Sequence, residues 1–167
     1  MKASEFIGKT VIDQKGLEIG KVTDILLKPE ECLIHKVIIS DAAVLNKKYF
    51  TIDDGEIETI GDYIIIKMSK KEAEARMGKE DVDSLKKIDL NFKKLVGKIV
   101  ITRNGVELGN VEDLIVQPKE CLMENIIVKS KSDLGKKNFI LEKGEILDIK
   151  DYLILKIDFE DIENRII

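Results

Sequence analysis

The chain has 167 residues, with 28 Lys or Arg against 32 Asp or Glu, a formal net charge of −4 and a charged fraction of 36%. That balance describes a well-solvated surface and leaves no basic excess for nucleic acid. No apolar run approaches the ~18 residues that span a bilayer, no apolar segment of a signal peptide follows Met1–Glu5, and two cysteines make no disulfide framework. A cytoplasmic protein is expected. Arginine occurs only at Arg76, Arg103 and Arg165, while Lys, Glu and Ile are abundant, a bias that suits a thermophile or an AT-rich genome.

The chain opens with a short β-branched run, Ile7–Ile12, and the same run returns as Val96–Ile101. The return is general. A constant shift of ~89 residues aligns Gly8–Met68 with Gly97–Ile157 without a gap, about 26 of about 61 positions being identical. Both prolines and both cysteines fall in register. Two copies of one small fold are therefore predicted. A unit of roughly 60–70 residues buries only about 60% of its unfolded surface, so each copy is marginal alone.

Each copy reads as short strands cut by Gly, Pro or Asp turns. The first run ends in Asp13-Gln14-Lys15-Gly16 or Arg103-Asn104-Gly105, and Asn104-Gly105 predicts a type I′ hairpin turn. Gly16 and Gly105 supply a shared left-handed position. The second strand is Glu18–Leu27, repeated as Glu107–Val116, with Gly20 and Gly109 interrupting it where a bulge or close backbone approach is required. Pro29 and Pro118 end it. Leu33–Ile39 and Leu122–Val128 follow. Tyr49–Ile52 with Glu56–Ile60, and Phe139–Leu141 with Glu145–Ile149, complete a predicted meander. Tyr63–Met68 and Tyr152–Ile157 read as strands buried on both faces. Six short strands at this spacing predict a small closed barrel.

Between the copies, Ser69 and Glu72 form an S-x-x-E capping box ahead of a helix that stops at Gly78. The rest of that segment, to Leu90, reads as polar connector with an isolated Val82 and Leu85. Asp158–Glu163 reads as a short amphipathic helix. The chain thus divides into repeat 1 (1–68), a helical and polar linker (69–90), and repeat 2 with its tail (91–167).

The pattern Gly8-Lys9-x-Val11-Ile12 and Gly16-x-Glu18-x-Gly20-Lys21-Val22-x-Asp24-Ile25 resembles the opening of a PRC-barrel domain. The second copy matches through Gly97-Lys98, Gly105-x-Glu107-x-Gly109, Val111 and Asp113-Leu114. The resemblance implies an all-β fold: two homologous small PRC-type β-barrels in tandem, with a short helical linker and a helical C-terminal tail. That domain occurs in the photosynthetic reaction centre H subunit and in the ribosome-maturation factor RimM. The chain resembles neither in having a membrane anchor or a RimM-type N-terminal domain ahead of the barrel. Some small archaeal members of this family look like cell-division adaptors linking the SepF membrane anchor and the FtsZ ring. What the resemblance implies here is a cytoplasmic, non-enzymatic, cofactor-free adaptor, recruited to the division site. Its expected partners are SepF-like or FtsZ-associated proteins or another PRC-barrel protein, with homo-oligomerisation open. An RNA-linked role in ribosome assembly, by analogy with RimM, is the alternative.

The residues kept in both copies (Gly8, Gly16, Gly20, Pro29 and their counterparts Gly97, Gly105, Gly109, Pro118) are those a fold needs. His35, the only histidine, has Glu124 as its counterpart in the other copy and lacks the convergent partners of a base or metal ligand. Cys32, His35 and Cys121 lack the spacing of a zinc site. Cys32 and Cys121 read as small buried hydrophobes in one shared slot. Glu18/Glu107, Asp24/Asp113 and Lys67/Lys156 recur, and closing turns or pairing across strands explains them. No catalytic, cofactor or metal residue is assigned. The partner-binding candidates lie where the copies differ. Ala42, Ala43, Val44 and Leu45 form an apolar loop where the sister loop, Lys131-Ser132-Asp133-Leu134, is polar. Ala43 and Val44 folding back on their own core is an equal alternative. Ala73 and Met77, four apart on the linker helix, form a second candidate face. The lysine pairs 70–71, 86–87, 93–94 and 136–137 read as solvated surface.

Overall fold

A computed structural model describes residues 1–31, 33–135 and 137–166, with side chains to Arg165. Repeat 1 contains β1 (Thr10–Ile12), β2 (Glu18–Lys28), β3 (Leu33–Asp41), β4 (Tyr49–Ile52), β5 (Ile57–Ile60) and β6 (Ile64–Ile66). A helical turn, α1 (Ala3–Phe6), precedes them, and α2 (Lys70–Arg76) follows. After α3 (Val82–Ile88) and the two-residue β7 (Leu90–Asn91) the pattern recurs. It runs through α4 (Phe92–Leu95), β8 (Ile99–Ile101), β9 (Glu107–Gln117), β10 (Leu122–Ser130), β11 (Asn138–Glu142), β12 (Ile146–Ile149), β13 (Leu153–Leu155) and α5 (Phe159–Ile166).

Within repeat 1 the strands are ordered β5-β6-β1-β2-β3-β4, with β6 parallel to β1 and every other neighbour antiparallel. The predicted meander is corrected by this order: β4 and β5, consecutive in the chain, lie at opposite edges of the sheet. A short 3₁₀ turn (Asp54–Glu56) joins them. Edges joined by so short a turn must face each other, so the sheet is curled and its seam is closed by that turn. Repeat 2 follows the same order, with β13 parallel to β8.

Inward residues of both repeats, among them Phe6, Val11, Ile25, Phe50, Ile64, Leu114, Phe139 and Leu153, form one continuous core. The run expected to be buried on both faces is buried on one. Ile64 and Ile66 are covered, Ile65 is half-buried and Tyr63 is exposed, because β6 is a short strand with only its inner face against the core. The first hairpin also differs from a type I′ turn. Asp13 N–H donates to Leu17 O and Gly16 N–H to Asp13 O, and Thr102 with Val106 and Gly105 repeats this. Only the glycine of each loop has positive φ (84° and 85°). This is the three-residue loop that places one left-handed residue at its end.

Gly20 and Gly109 behave as predicted. A Cβ at Gly20 would stand 1.7 Å from Ser40 O, and one at Gly109 2.0 Å from Lys129 O. Neither backbone oxygen can retreat without breaking the β2–β3 or β9–β10 ladder.

The polar connector is corrected to structure. Asp81 caps α3 by accepting from Ser84 N–H at 3.1 Å, and Val82 and Leu85 press onto the outer face of repeat 1 against Leu26, Ile38 and Tyr49. A three-residue apolar spacing in a short polar helix is too brief to show periodicity, yet it fills one small patch.

The two repeats are related by a pseudo-two-fold axis that passes by the antiparallel pair Leu33–Leu122, two equivalent residues joining β3 to β10. Around it the repeats exchange their entry turns. α1 of repeat 1 lies on β9 of repeat 2, and α4 lies on β2. Lys2 bridges Ile115 just as Asn91 pairs with Leu26. Buried Asp113 accepts from Ser4 N–H (3.2 Å) and its hydroxyl, while buried Asp24 accepts from Lys93 N–H (3.4 Å). Each carboxylate also takes the N–H of its own next residue, Leu114 or Ile25, at 2.8 Å. The expectation that these aspartates close turns or pair across strands is replaced by this inter-repeat role.

Two outcomes follow for the fold. Asp113→Ala should cost about 1–3 kcal/mol, since it orphans buried N–H groups, and should speed amide exchange in α1, which belongs to the other repeat. A chain that loses stability without any change at residues 3–7 would contradict the exchanged docking. Gly20→Ala should cost at least the ~1–3 kcal/mol of an overpacked core, read as a lowered denaturation midpoint.

Candidate interaction site

β3 ends at Asp41, and the chain leaves the barrel as the exposed segment Ala42–Lys48 before re-entering at β4. Val44 is 91% exposed and Leu45 80%. Of the two readings of this loop, folding back onto the core is not what occurs. The sister loop behaves oppositely: Leu134, equivalent to Leu45, packs against the core, held by Leu134 N–H donating to Lys131 O and Ser130 Oγ–H donating to Gly135 O at 2.8 Å. Lys131 pairs with Glu107 at 3.1 Å, so that loop satisfies itself. Beside Val44 lies a groove of about 350 Å³ lined by Glu18, Lys21, Asp41, Ala43, Val44 and Lys47, two acids and two bases around an apolar floor.

Ala73 and Met77 are not part of a surface. Both are buried in the core, so the candidate face on α2 is corrected: it packs the helix onto its own barrel. The local reasons are clear. Ser69 Oγ accepts from Glu72 N–H (3.2 Å), and Asp13 Oδ2, from the first hairpin, accepts from Lys70 N–H (3.0 Å). At the other end Arg76 donates to Glu56 Oε1 (2.5 Å) and Thr51 O (2.6 Å) and stands 5.7 Å from the Phe50 ring centre. Repeat 2 has the same latch: Arg165 donates to Glu145 Oε1 (2.5 Å), holding α5 with Ile162 buried beneath it. Arg76 and Arg165 stand in register just beyond the stretch over which the repeat was aligned. Continuing the same offset past Met68 would have revealed them, and continuing it before Gly8 would have matched Phe6 with Leu95.

The other singled-out residues are dispersed. His35 Nδ1 pairs with Asp89 at the end of the linker. Asp24 is committed to α4, and Lys67 N–H donates to Glu56 O. Among the described residues no three His, Cys, Asp or Glu side chains group as metal ligands. Cys121, expected as a small buried hydrophobe, is half-buried at the junction of the repeats with φ +61°. Its carbonyl accepts from Ile34 N–H at 3.0 Å, and burial with the nearby Asp54 and Asp53 pushes its thiol pKa up. Cys32 and Lys136 lie outside the described residues. Lys93 and Lys94 serve the repeat junction, Lys94 Nζ donating to Lys86 O at 3.0 Å. No described helix is long and apolar enough to cross a membrane.

Fold and site together define a duplicated small β-barrel that presents an exposed apolar loop, Ala42–Leu45, whose counterpart in the second copy is polar. The family model of the PRC-barrel domain matches residues 1–73 and 89–162, and the chain belongs to that family as a tandem of two such domains. No curated protein sequence matches. Among solved structures, the chain is similar to a putative 16S ribosomal RNA processing protein RimM from Pseudomonas aeruginosa, at 15% identity and a TM-score of 0.35. The match covers 85% of this chain and 97% of that one.

The Arg165 guanidinium beside Glu145 holds that carboxyl below its ordinary value of 4.5. A lowered folded-state pKa means the pair stabilises fully above that ordinary value and is lost as pH falls through the lowered one. Acidification below pH ~4 should therefore loosen α5 before the barrel. Arg165→Ala should reproduce the loosening at neutral pH at a cost of at most about 1 kcal/mol, read by amide exchange at 159–165. Equal protection of α5 in both proteins at both pH values would contradict the latch.

Proposed function

We propose that this protein is a non-enzymatic protein-interaction adaptor whose contact element is the loop Ala42–Leu45. The observation that carries the reading is the exposure of Val44 and Leu45 where the equivalent Leu134 is packed. Two adjacent large apolar side chains held in water gain from being covered, each by about 1.5–3 kcal/mol on full burial. Apolar contact there would supply affinity, and the alternating charges of Glu18, Lys21, Asp41 and Lys47 around the groove would select the partner. The most specific form of this reading is a cytoplasmic link in archaeal cell division, with SepF-like or FtsZ-associated proteins or another PRC-barrel protein bound at the loop. Membership in the PRC-barrel family supports a binding role in general, and the division-site form is the specific version put to the test.

Affinity purification of the tagged chain from its source cells, with and without nuclease, tests the reading. Nuclease-resistant recovery of division proteins, lost in Val44→Asp/Leu45→Asp, is the expected outcome. The double variant should melt within about 0.5 kcal/mol of the parent, because both side chains are already in solvent. Undiminished recovery by the variant would remove the loop from the site. Nuclease-sensitive recovery of ribosomal proteins would replace the adaptor with an RNA-linked factor.

A further inference from the structure

The two barrels differ on their outer faces, and this difference stands independently of the 42–45 loop. In repeat 1 the outward side chains Leu26, Ile38 and Thr51 are 0% exposed, because the linker helix α3 lies over them. Val82 and Leu85 fill the apolar patch. The flanks of the segment are pinned by polar contacts: Glu80 accepts from Thr51 Oγ1 (2.6 Å), and Asp89 pairs with His35. The equivalent residues of repeat 2 are Ile115, Ile127, Ile140 and Glu124. No described helix lies over them as α3 does in repeat 1; α5 only flanks β11, with Arg165 donating to Ile140 O at 3.4 Å. Ile115 and Ile127 are half-buried, Ile140 is 50% exposed, and Ile127 and Ile140 are cross-strand neighbours on the open face. A shallow depression beside Ile140 is bordered by Glu124, Asn125, Glu142, Lys143 and Arg165.

The geometry points to this face as a docking site for a short amphipathic helix of a partner protein, seated as α3 is seated on repeat 1. Its chemistry can be read from the substitutions between the repeats. The patch remains apolar, so the helix carries two apolar residues three apart, as Val82 and Leu85 are. Thr51 has become Ile140, so the contact that Glu80 makes in repeat 1 becomes apolar. His35 has become Glu124, so the position of Asp89 calls for a Lys or Arg. Around the same strands Glu112 and Glu142 stand against Lys129, Lys143 and Arg165, the last paired with Glu145, so the one cationic requirement on the helix is at its C-terminal end, opposite Glu124. Glu124 meets Gln117 and Glu112 meets Asn138, neutral partners that leave both charges uncompensated by these contacts.

The probe is a fluorescein-labelled, hydrocarbon-stapled peptide of residues 80–89 of this chain carrying Glu80→Leu and Asp89→Lys, titrated with the full chain by fluorescence anisotropy. Saturable sub-millimolar binding is expected, weakened at least about tenfold by Ile140→Asp. Glu124→Lys, a surface change that spares the fold, should invert the preference between this peptide and one retaining Asp89. Val44→Asp/Leu45→Asp should leave peptide affinity unchanged, which separates this site from the loop. Absence of binding at ~1 mM, or binding indifferent to both Ile140→Asp and Glu124→Lys, would overturn the assignment. So would concentration-dependent dimerisation abolished by Ile140→Asp, since a second copy would then be the cover.

Discussion

Two buried carboxylates, Asp24 and Asp113, hold the architecture together, each accepting the backbone of the other repeat's entry turn. A buried carboxylate is costly unless its oxygens receive hydrogen bonds. Here the donors are N–H groups at the start of a helical turn, which have no partner within the turn itself. The compensation is incomplete at Asp24. Burial pushes its carboxyl above its ordinary value, although Ile25 and Lys93 N–H groups and the charges of Lys86 and Lys93 pull the other way. The position is retained in both copies despite that cost, because it fixes the exchanged entry turns through which the two barrels share one core. Phe6 and Leu95, carried in by the exchanged turns, are 0% exposed.

On this symmetric frame, both proposed contact sites lie where the repeats differ. The duplicated hairpins, bulge glycines, proline turns and Arg–Glu latches superpose in role and cancel as candidates for a specific site. What remains is an apolar loop on one barrel and an open sheet face on the other. The loop differs because Ala42-Ala43-Val44 replaces the Lys131-Ser132-Asp133 that lets the sister loop fold onto itself. The face differs because the linker can lie over only one barrel. In the proposed reading, one such feature on each half would let the protein bridge two partners.

The sheet order illustrates how far periodicity reaches. Apolar, β-branched runs cut by Gly, Pro and Asp turns located nearly every strand. The count and spacing of the strands predicted the closed barrel but not that β6 returns beside β1 instead of extending a meander, because both orders place the same faces inward. Propensity located α2 through Ser69 and Gly78, yet the same reasoning offered its buried Ala73 and Met77 as a surface. A short helix shows an apolar stripe but not what the stripe meets.

The amino-acid sequence by itself determined the duplication, the family, and the backbone positions where only glycine or proline fits, because those depend on identity at a fixed offset and on local sterics. The tertiary structure decided the exchange of entry turns, the burial of Asp24 and Asp113, the cover over one barrel's outer face and the exposure of Val44 and Leu45. Each of those arises from contacts between segments tens of residues apart, where the free energy of burial, rather than the pattern of neighbouring residues, selects the partner.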